Sequence, residues 1–391
     1  MRNRIYLDNN ATTRVDPRVL EAMLPFFSNV YGNPAAGHEF GRQATVAVEE
    51  SRASVARDLG AEFPDEIVFT SGATESVNLA IKGVAEANAD RGDHIVTALS
   101  EHKAALNACR HLERKGLRVT WLSPDGDGLI DPEAVRKSIT DRTVLVSIMA
   151  ANNETGVLQD VASMGRICRE RGVPFHTDAT QAVGKLPFNA RDANADMVSL
   201  SAHKIYGPKG VGALYVNRKA RGRIAAQADG GGHEGGLRSG TVNTPGAVGM
   251  ATALRLCADE MATESARIGR LRDRLQTGLM ASIEHVRLNG HPRQRVPGTL
   301  NLSFAFAESE SLLLLTPEIA LSPGSACTSA SREPSHVLKS MGIDDDLAHS
   351  AVRFSVGRFN TEEEIDLVIA RVVESVFRLR SISPLNSTKR K

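Results

Sequence analysis

The stretch Glu66-Ile67-Val68-Phe69-Thr70-Ser71-Gly72-Ala73-Thr74-Glu75-Ser76-Val77 decides the fold class. Its apolar run, ending at Thr70, reads as a buried strand. The small residues Ser71 to Thr74 form a turn, and the stretch Val77 to Ile81 carries a helical pattern. The same unit recurs along the chain. His94 to Ala98 leads into Glu101-His102-Lys103 and a helix running towards Arg114. Val144 to Met149 leads into Asn152-Asn153-Glu154-Thr155-Gly156, and Val173 to His176 leads into Asp178 and Gln181. Asp196 to Leu200 leads into Ser201-Ala202-His203-Lys204, and Gly210 to Val216 reads as a further strand. Strands alternating with helices predict an α/β fold with a mainly parallel, doubly wound sheet covered on both faces.

Beyond about Thr252 the texture changes. A charged helix is expected from roughly Ala253 to Ser282, then strands around Thr299 to Phe304 and Val352 to Val356. A final helix is expected from Thr361, where Thr361-Glu362-Glu363-Glu364 supplies a cap and an acidic first turn. The pattern predicts a large domain, 16–252, and a smaller α+β domain built from 1–15 and 253–391. The small domain carries a cysteine loop at about 322–335. The polar, basic residues Pro384 to Lys391 read as a frayed tail.

Composition excludes several functions. The four cysteines (Cys109, Cys168, Cys257, Cys327) form no CxxC pair and no Cys/His cluster at zinc spacing, so no metal site and no disulfide framework are expected. Lys+Arg 47 against Asp+Glu 46 leaves a net charge of +1, which advertises neither direct nucleic-acid binding nor an anionic membrane. Met1 to Asn10 lacks an apolar signal core, and no apolar run approaches a membrane span. A cytoplasmic setting with reduced thiols is expected.

In an open parallel sheet, ligands bind beyond the carboxyl ends of the strands. Five such ends carry polar residues here: Thr74, His102, Asn153, Asp178 with Gln181, and Ser201-His203-Lys204. The Ser71 to Thr74 turn suits a phosphate at a helix amino terminus, although a plain capped glycine turn is the commoner reading of such a motif. Gly207-Pro208-Lys209-Gly210-Val211-Gly212 lacks the Walker and dinucleotide spacings and reads as a turn between strands. Lys204, just past a strand, suits a Schiff base, with Lys209 its close competitor. Asp178 ends a buried run, and a buried carboxylate needs a partner; a pyridinium nitrogen would serve, as would an arginine or a helix cap. Lysine, aspartate and phosphate cradle together are the parts a protein supplies to pyridoxal phosphate. Cys327 differs from the other three cysteines. They sit in helical patterns, whereas its neighbours are small and hydroxylated, as in an exposed loop where a thiolate can react.

These residues carry a resemblance that runs over almost the whole chain. Tyr6-Leu-Asp-Asn-Asn-Ala-Thr-Thr13, Gly32-Asn-Pro34, Thr70 to Ser76, Glu101-His-Lys103, Asn152-Asn-Glu154, Asp178 to Gln181, Ser201 to Gly210, Arg238-Ser-Gly-Thr241 and Gly324 to Ser329 resemble the NifS/IscS-type cysteine desulfurases. These are pyridoxal-phosphate enzymes of the aspartate-aminotransferase-like fold (fold type I). The resemblance implies that Lys204 anchors the cofactor, Asp178 faces the pyridinium nitrogen, Gln181 reaches the ring hydroxyl and His102 stacks on the ring. It further implies that Ala73, Thr74, Ser201 and His203 bind the phosphate, joined by Thr241 from the partner subunit of a homodimer. Arg353 and Asn153 would hold the carboxylate of L-cysteine, with Arg358 the alternative if the strand register differs, and Asn33 would help orient the substrate. Lys204 and His102 would move protons. Cys327 would take up the sulfur as a persulfide and give it to an acceptor protein, a scaffold or a sulfurtransferase. Iron–sulfur cluster assembly, transfer-RNA thiolation, cofactor sulfuration and DNA phosphorothioation are the roles open to such a donor. Another class-V aminotransferase would need Lys204 and Asp178 but not Cys327, and a non-catalytic scaffold would need none of them.

Two departures stand out. Many relatives have serine where this chain has Pro323, and Pro317 also lies upstream, so the arm bearing Cys327 is restrained by two fixed φ angles. The tail Leu385 to Lys391 does not resemble the one that helps housekeeping members dock a cluster scaffold. The first departure predicts slow sulfur delivery to small thiols. Turnover with dithiothreitol alone should rise in Pro323→Ser, and an unchanged full rate would contradict it.

Overall fold

The computed structural model describes residues 4–323 and 333–382. Strands Ile67–Thr70, Gly212–Val216, Met197–Ser201, Phe175–Asp178, Thr143–Ser147, His94–Ala98 and Arg118–Leu122 lie in that order across one sheet. Every neighbouring pair from Met197–Ser201 to Arg118–Leu122 is parallel, as expected. Gly212–Val216 runs antiparallel to both its neighbours. A parallel neighbour needs a crossover of about a dozen residues or more. The connection 202–211 holds only the single turn Ala202–Lys204. The edge strand Arg118–Leu122 raises no expectation in the sequence. It is half-exposed and lacks the unbroken apolar run of a buried central strand.

Side chains alternate between the two faces of a strand. Val96, Val146 and Val198 therefore meet one core, built with Val48, Val55 and Leu59 of helix Glu39–Leu59. Ile95, Leu145 and Met197 meet the other, built with Val77, Ile81 and Val84 of helix Ala73–Ala87. The doubly wound layering is thus a consequence of apolar residues on both faces of each central strand.

A second, antiparallel sheet carries Ser322–Pro323, Ala351–Ser355, Thr299–Phe304 and Val286–Leu288 in that order. Its core joins Leu300, Leu302, Val352 and Phe354 to Ile365, Val368 and Val372 of helix Glu362–Ile382. That helix starts as the sequence suggests. The Thr361 amide donates to Glu364 Oε2 and the Glu364 amide to Thr361 Oγ1, each at 3.3 Å. Ile5 and Leu7 of the amino-terminal arm belong to this second core, and Ile5–Tyr6 pairs in parallel with Ile319–Ala320. Pro323 lies on the outermost strand, where a residue without an N–H is tolerated.

The two cores share one rod. Helix Thr244–Ser282 packs Met250, Leu254 and Cys257 into the first core and Leu271, Leu275 and Leu279 into the second. It begins at Thr244 rather than near Ala253. Asn243 Oδ1 accepts from the Gly246 amide at 3.0 Å, and Pro245 sits in the first turn, where its missing N–H costs nothing. Among the described residues no helix is long and apolar enough to cross a membrane.

The segment leading to Arg238 and Thr241 is tied to the large core by a buried ion pair. Arg52 Nη1 donates to Glu234 Oε2 at 2.7 Å, and the Phe69 amide donates to the same oxygen at 2.7 Å. Removing one partner of such a pair strands the other charge. Glu234→Ala should cost about 3–5 kcal/mol of stability, read as a lowered melting temperature. An unchanged melting temperature would show that the pair is not desolvated.

Candidate active site

Asp178 and Ser201 each end a strand, so the sheet itself puts them on one edge. A buried polar ladder lies just before them: Ser147 Oγ to His176 Nδ1 and His176 Nε2 to Ser199 Oγ, each 2.8 Å. Burial pushes the His176 pKa down to about 4, so this histidine is a neutral strut.

His102 caps helix Lys103–Arg114, its Nδ1 accepting from the Ala104 amide at 3.1 Å. That contact leaves the hydrogen on Nε2. Burial lowers the His102 pKa, with Lys204 and Lys103 adding to the effect and the Asp178 charge opposing it. His102, Asp178 and Lys204 therefore share one electrostatic neighbourhood.

Lys204 stands on the turn after Ser201, and its Nζ donates to the carbonyls of Asn10 and Ala11, each at 2.6 Å. Gln181 Nε2 donates to the same Asn10 carbonyl at 3.0 Å. His203 Nδ1 lies 3.1 Å from Thr12 Oγ1, and burial beside Lys204, Lys209 and Lys185 takes its pKa down to about 4. The amino-terminal arm thus lines the lysine, and its backbone supplies the acceptors.

Arg353, 2% exposed, donates through Nη2 to Asp8 Oδ1 at 2.7 Å and through Nη1 to the Asn153 carbonyl at 3.0 Å. Its Nε has no partner among the described residues. A buried donor left open costs about 1–3 kcal/mol, which a ligand carboxylate would recover. Arg358 lies beyond the strand and is occupied by Glu264 at 2.7 Å and Asp16 at 2.8 Å. The register therefore puts Arg353, not Arg358, beside Asn153.

Helix Ala73–Ala87 begins after Gly72, whose φ of 153° favours glycine, and no side chain caps it. A Cβ on Gly72 would lie 3.7 Å from Ser201 Oγ, so the open helix terminus and Ser201 adjoin. Thr74 and His102 line one cavity of about 480 Å³ that opens along Lys82, Lys103, His111 and Arg114.

Three expected residues are not gathered here. Asn33 is exposed, its Oδ1 accepting from the Ala35 amide at 2.9 Å. Thr241 is exposed, beyond Arg238, whose Nε pairs with Glu75 Oε1 at 2.8 Å. Cys327 lies outside the described residues, as does the segment Gly324 to Ser329.

Other residues join without having been singled out. Asn10 and Asp8 lie inside the Tyr6 to Thr13 motif, but nothing in their spacing shows that they meet Lys204 and Arg353. Lys185 donates to Gln181 Oε1 at 2.5 Å and to Asn10 Oδ1 at 3.2 Å. Two carboxyls are buried nearby. Burial, aided by Asp178, raises the Glu101 pKa well above the ordinary range. Burial takes Glu154 up to about 7, against the pull of the Ser335 hydroxyl, Arg353 and Lys103.

A lysine amine held by backbone carbonyls, a carboxylate at a strand end, a histidine beside it and an uncapped helix terminus fit pyridoxal phosphate. Lys204, Asp178, His102 and the Gly72–Ser201 cradle are the residues that would hold it.

Comparison with known proteins points the same way. Residues 5–368 match the family model "Aminotransferase class-V". The chain is 55% identical to cysteine desulfurase IscS of Anaeromyxobacter sp. (strain Fw109-5), over 98% of this chain and 95% of that one. A solved NifS-like protein superposes with a TM-score of 0.90 at 39% identity, covering 96% of this chain and all of the other. A structure of SspA in complex with cysteine superposes with a TM-score of 0.81 at 37% identity, covering 91% and 100%.

Glu154 gives the site a measurable pH signature. The folded protein binds this proton more tightly than the unfolded chain, where the group titrates near 4.5. Its stabilising effect is complete below about pH 4.5 and is lost as pH rises through about 7. Glu154→Gln keeps an acceptor for Ser335 without the charge. Its stability relative to the parent should improve by up to about 3 kcal/mol between pH 5 and 8, followed as the gap in melting temperature. A constant gap would contradict the shift.

Proposed function

The chain belongs to the class-V aminotransferases and, among them, to the cysteine desulfurases, and on that premise we propose how its residues divide the work. It is a pyridoxal-phosphate-dependent enzyme that takes sulfur from L-cysteine and leaves L-alanine. The observation that carries the residue assignment is the placement of the Lys204 amine beside Asp178 and His102 on the carboxyl edge of the sheet.

Bound pyridoxal phosphate supplies an electron sink that acidifies the substrate's α-hydrogen and weakens its Cβ–S bond. Lys204 would hold the cofactor covalently, and its amine would take the α-proton and return a proton to the product. Asp178, at a strand end, would pair with the ring nitrogen. The Gly72 turn, Ala73, Thr74, Ser201 and His203 take the phosphate. Arg353, with an open buried Nε, takes the substrate carboxylate next to Asn153. Neutral His102, with its Nε2 hydrogen, would stack on the ring and move a proton at the substrate thiol. The Cys327 thiolate bonds to the substrate sulfur as the Cβ–S bond breaks, becoming a persulfide.

The working unit in this reading is a homodimer. Thr241, exposed in its own chain, would complete the phosphate site of the partner. Tyr31 and Phe40, exposed and 5.6 Å apart, offer apolar surface for that contact, and Asn33 reaches substrate only within it. A reducing cytoplasmic setting suits the three described cysteines, all free and buried. The sulfur passes to an acceptor protein, most simply a scaffold for iron–sulfur cluster assembly. Transfer-RNA thiolation and DNA phosphorothioation would use the same persulfide.

Cys327→Ser tests the assignment. The variant should keep the visible cofactor band and its response to L-cysteine while alanine release falls by at least about 100-fold. Alanine release that survives would favour another class-V activity. A colourless parent protein would favour a scaffold and contradict the assignment.

A further inference from the structure

Lys185 is a second buried lysine beside Lys204, and the mechanism above gives it no task. It follows Gly184, half-buried as a residue, with its amine turned inward onto Gln181 Oε1 at 2.5 Å and Asn10 Oδ1 at 3.2 Å. An ammonium has donors and no acceptor. The oxygen of the Gln181 amide must therefore face Lys185, which turns the NH₂ end towards the Asn10 carbonyl, where it donates at 3.0 Å. Lys204 Nζ points at that same carbonyl from 2.6 Å. Reversing the Gln181 amide would set its hydrogens against the Lys185 amine and its oxygen against the Asn10 oxygen. Both contacts would be repulsive.

We propose that Lys185 is a positioning residue for the cofactor: by holding Gln181 Oε1 it fixes the Gln181 NH₂ group as a donor to the ring hydroxyl, and its charge lies beside the Lys204 nitrogen. The proposal rests on the reading that Lys204 and Gln181 face pyridoxal phosphate.

The groups facing the Lys185 amine are Lys204, Arg353 from the strand Ala351–Ser355, and Cys257 from the long helix. Glu264 lines the same small cavity of about 30 Å³. Burial, Lys204 and Arg353 bring the Lys185 pKa down to about 7, with Cys257 opposing. As an ammonium Lys185 can only donate to Gln181; once neutral it gains an acceptor lone pair, and the Asn10 carbonyl is then what keeps the Gln181 NH₂ turned towards it. Both of its effects act in one direction. A donor on the ring hydroxyl and a nearby positive charge each make it easier for the Lys204–cofactor linkage to lose its proton. A purely structural Lys185 would affect stability and leave that proton where it is.

The experiment is a pH titration of the visible absorbance of the holoenzyme, with melting temperature measured alongside. In Lys185→Met the midpoint should rise by about one pH unit. Lys185→Gln keeps a donor and loses the charge, so its midpoint should lie between those of Lys185→Met and the parent. Gln181→Leu should raise the midpoint in the parent and add little in Lys185→Met, because both changes remove one interaction. A parental midpoint in both Lys185 variants would overturn the proposal, as would fully additive shifts. A Gln181→Leu midpoint unmoved in the parent would overturn the reading of Gln181 itself, and the proposal with it.

Discussion

The carbonyl oxygen of Asn10 accepts from both the Lys204 amine and the Gln181 amide, at 2.6 Å and 3.0 Å, and much of the site is arranged around it. Asn10 Oδ1 accepts from Lys185, and Asn10 Nδ2 donates to the Asn153 carbonyl at 3.2 Å and to Thr299 Oγ1 at 2.8 Å. The Asn153 carbonyl in turn receives Arg353. One residue of the arm therefore connects the lysine turn of the large sheet to the arginine strand of the small one. The constraint beneath this is desolvation. Lys204, Lys185 and Arg353 each bring N–H donors into this interior, and a buried donor needs an acceptor. The arm, whose Ile5 and Leu7 are anchored in the second core, is the segment that brings those acceptors in.

The electrostatics of the site follow from which charges survive burial. Glu101 and Glu154 are raised, so each sheds its charge more readily than an exposed glutamate. His176 and His203 are held neutral. Asp8 pairs with Arg353, and the Lys204 and Lys185 amines both reach Asn10. This gathering of basic side chains suits a ligand bringing a phosphate and a carboxylate. The two buried glutamates accept hydrogen bonds from the Met149 amide and the Ser335 hydroxyl.

The fold was legible where the sequence pattern had one cause. Central strands buried on both faces show unbroken apolar runs, and their carboxyl ends follow directly, so Asp178, His102 and the Lys204 turn could be named in advance. The edge strand Arg118–Leu122 and the antiparallel Gly212–Val216 depend on exposure and loop length, which periodicity does not carry. The first turns of the long helix were hidden because Asn243-Thr244-Pro245-Gly246 reads equally well as a loop. Asn10, Asp8 and Lys185 lie far from Lys204 in the chain or look like ordinary surface polarity. Their positions depend on how the arm crosses between two cores, which no local pattern records. The resemblance already preferred Arg353 to Arg358; the strand register and the Glu264 and Asp16 partners of Arg358 supply a physical reason for that preference.

The central claim is that Lys204, on the turn after the strand Met197–Ser201, is the residue that carries pyridoxal phosphate. Borohydride reduction of the coloured holoenzyme, followed by peptide mass mapping, tests it directly. A reduced phosphopyridoxyl group on the peptide containing Lys204, with Lys185 and Lys209 unmodified, is the result this account predicts. The same group on Lys185 or Lys209, or on no lysine, would contradict it.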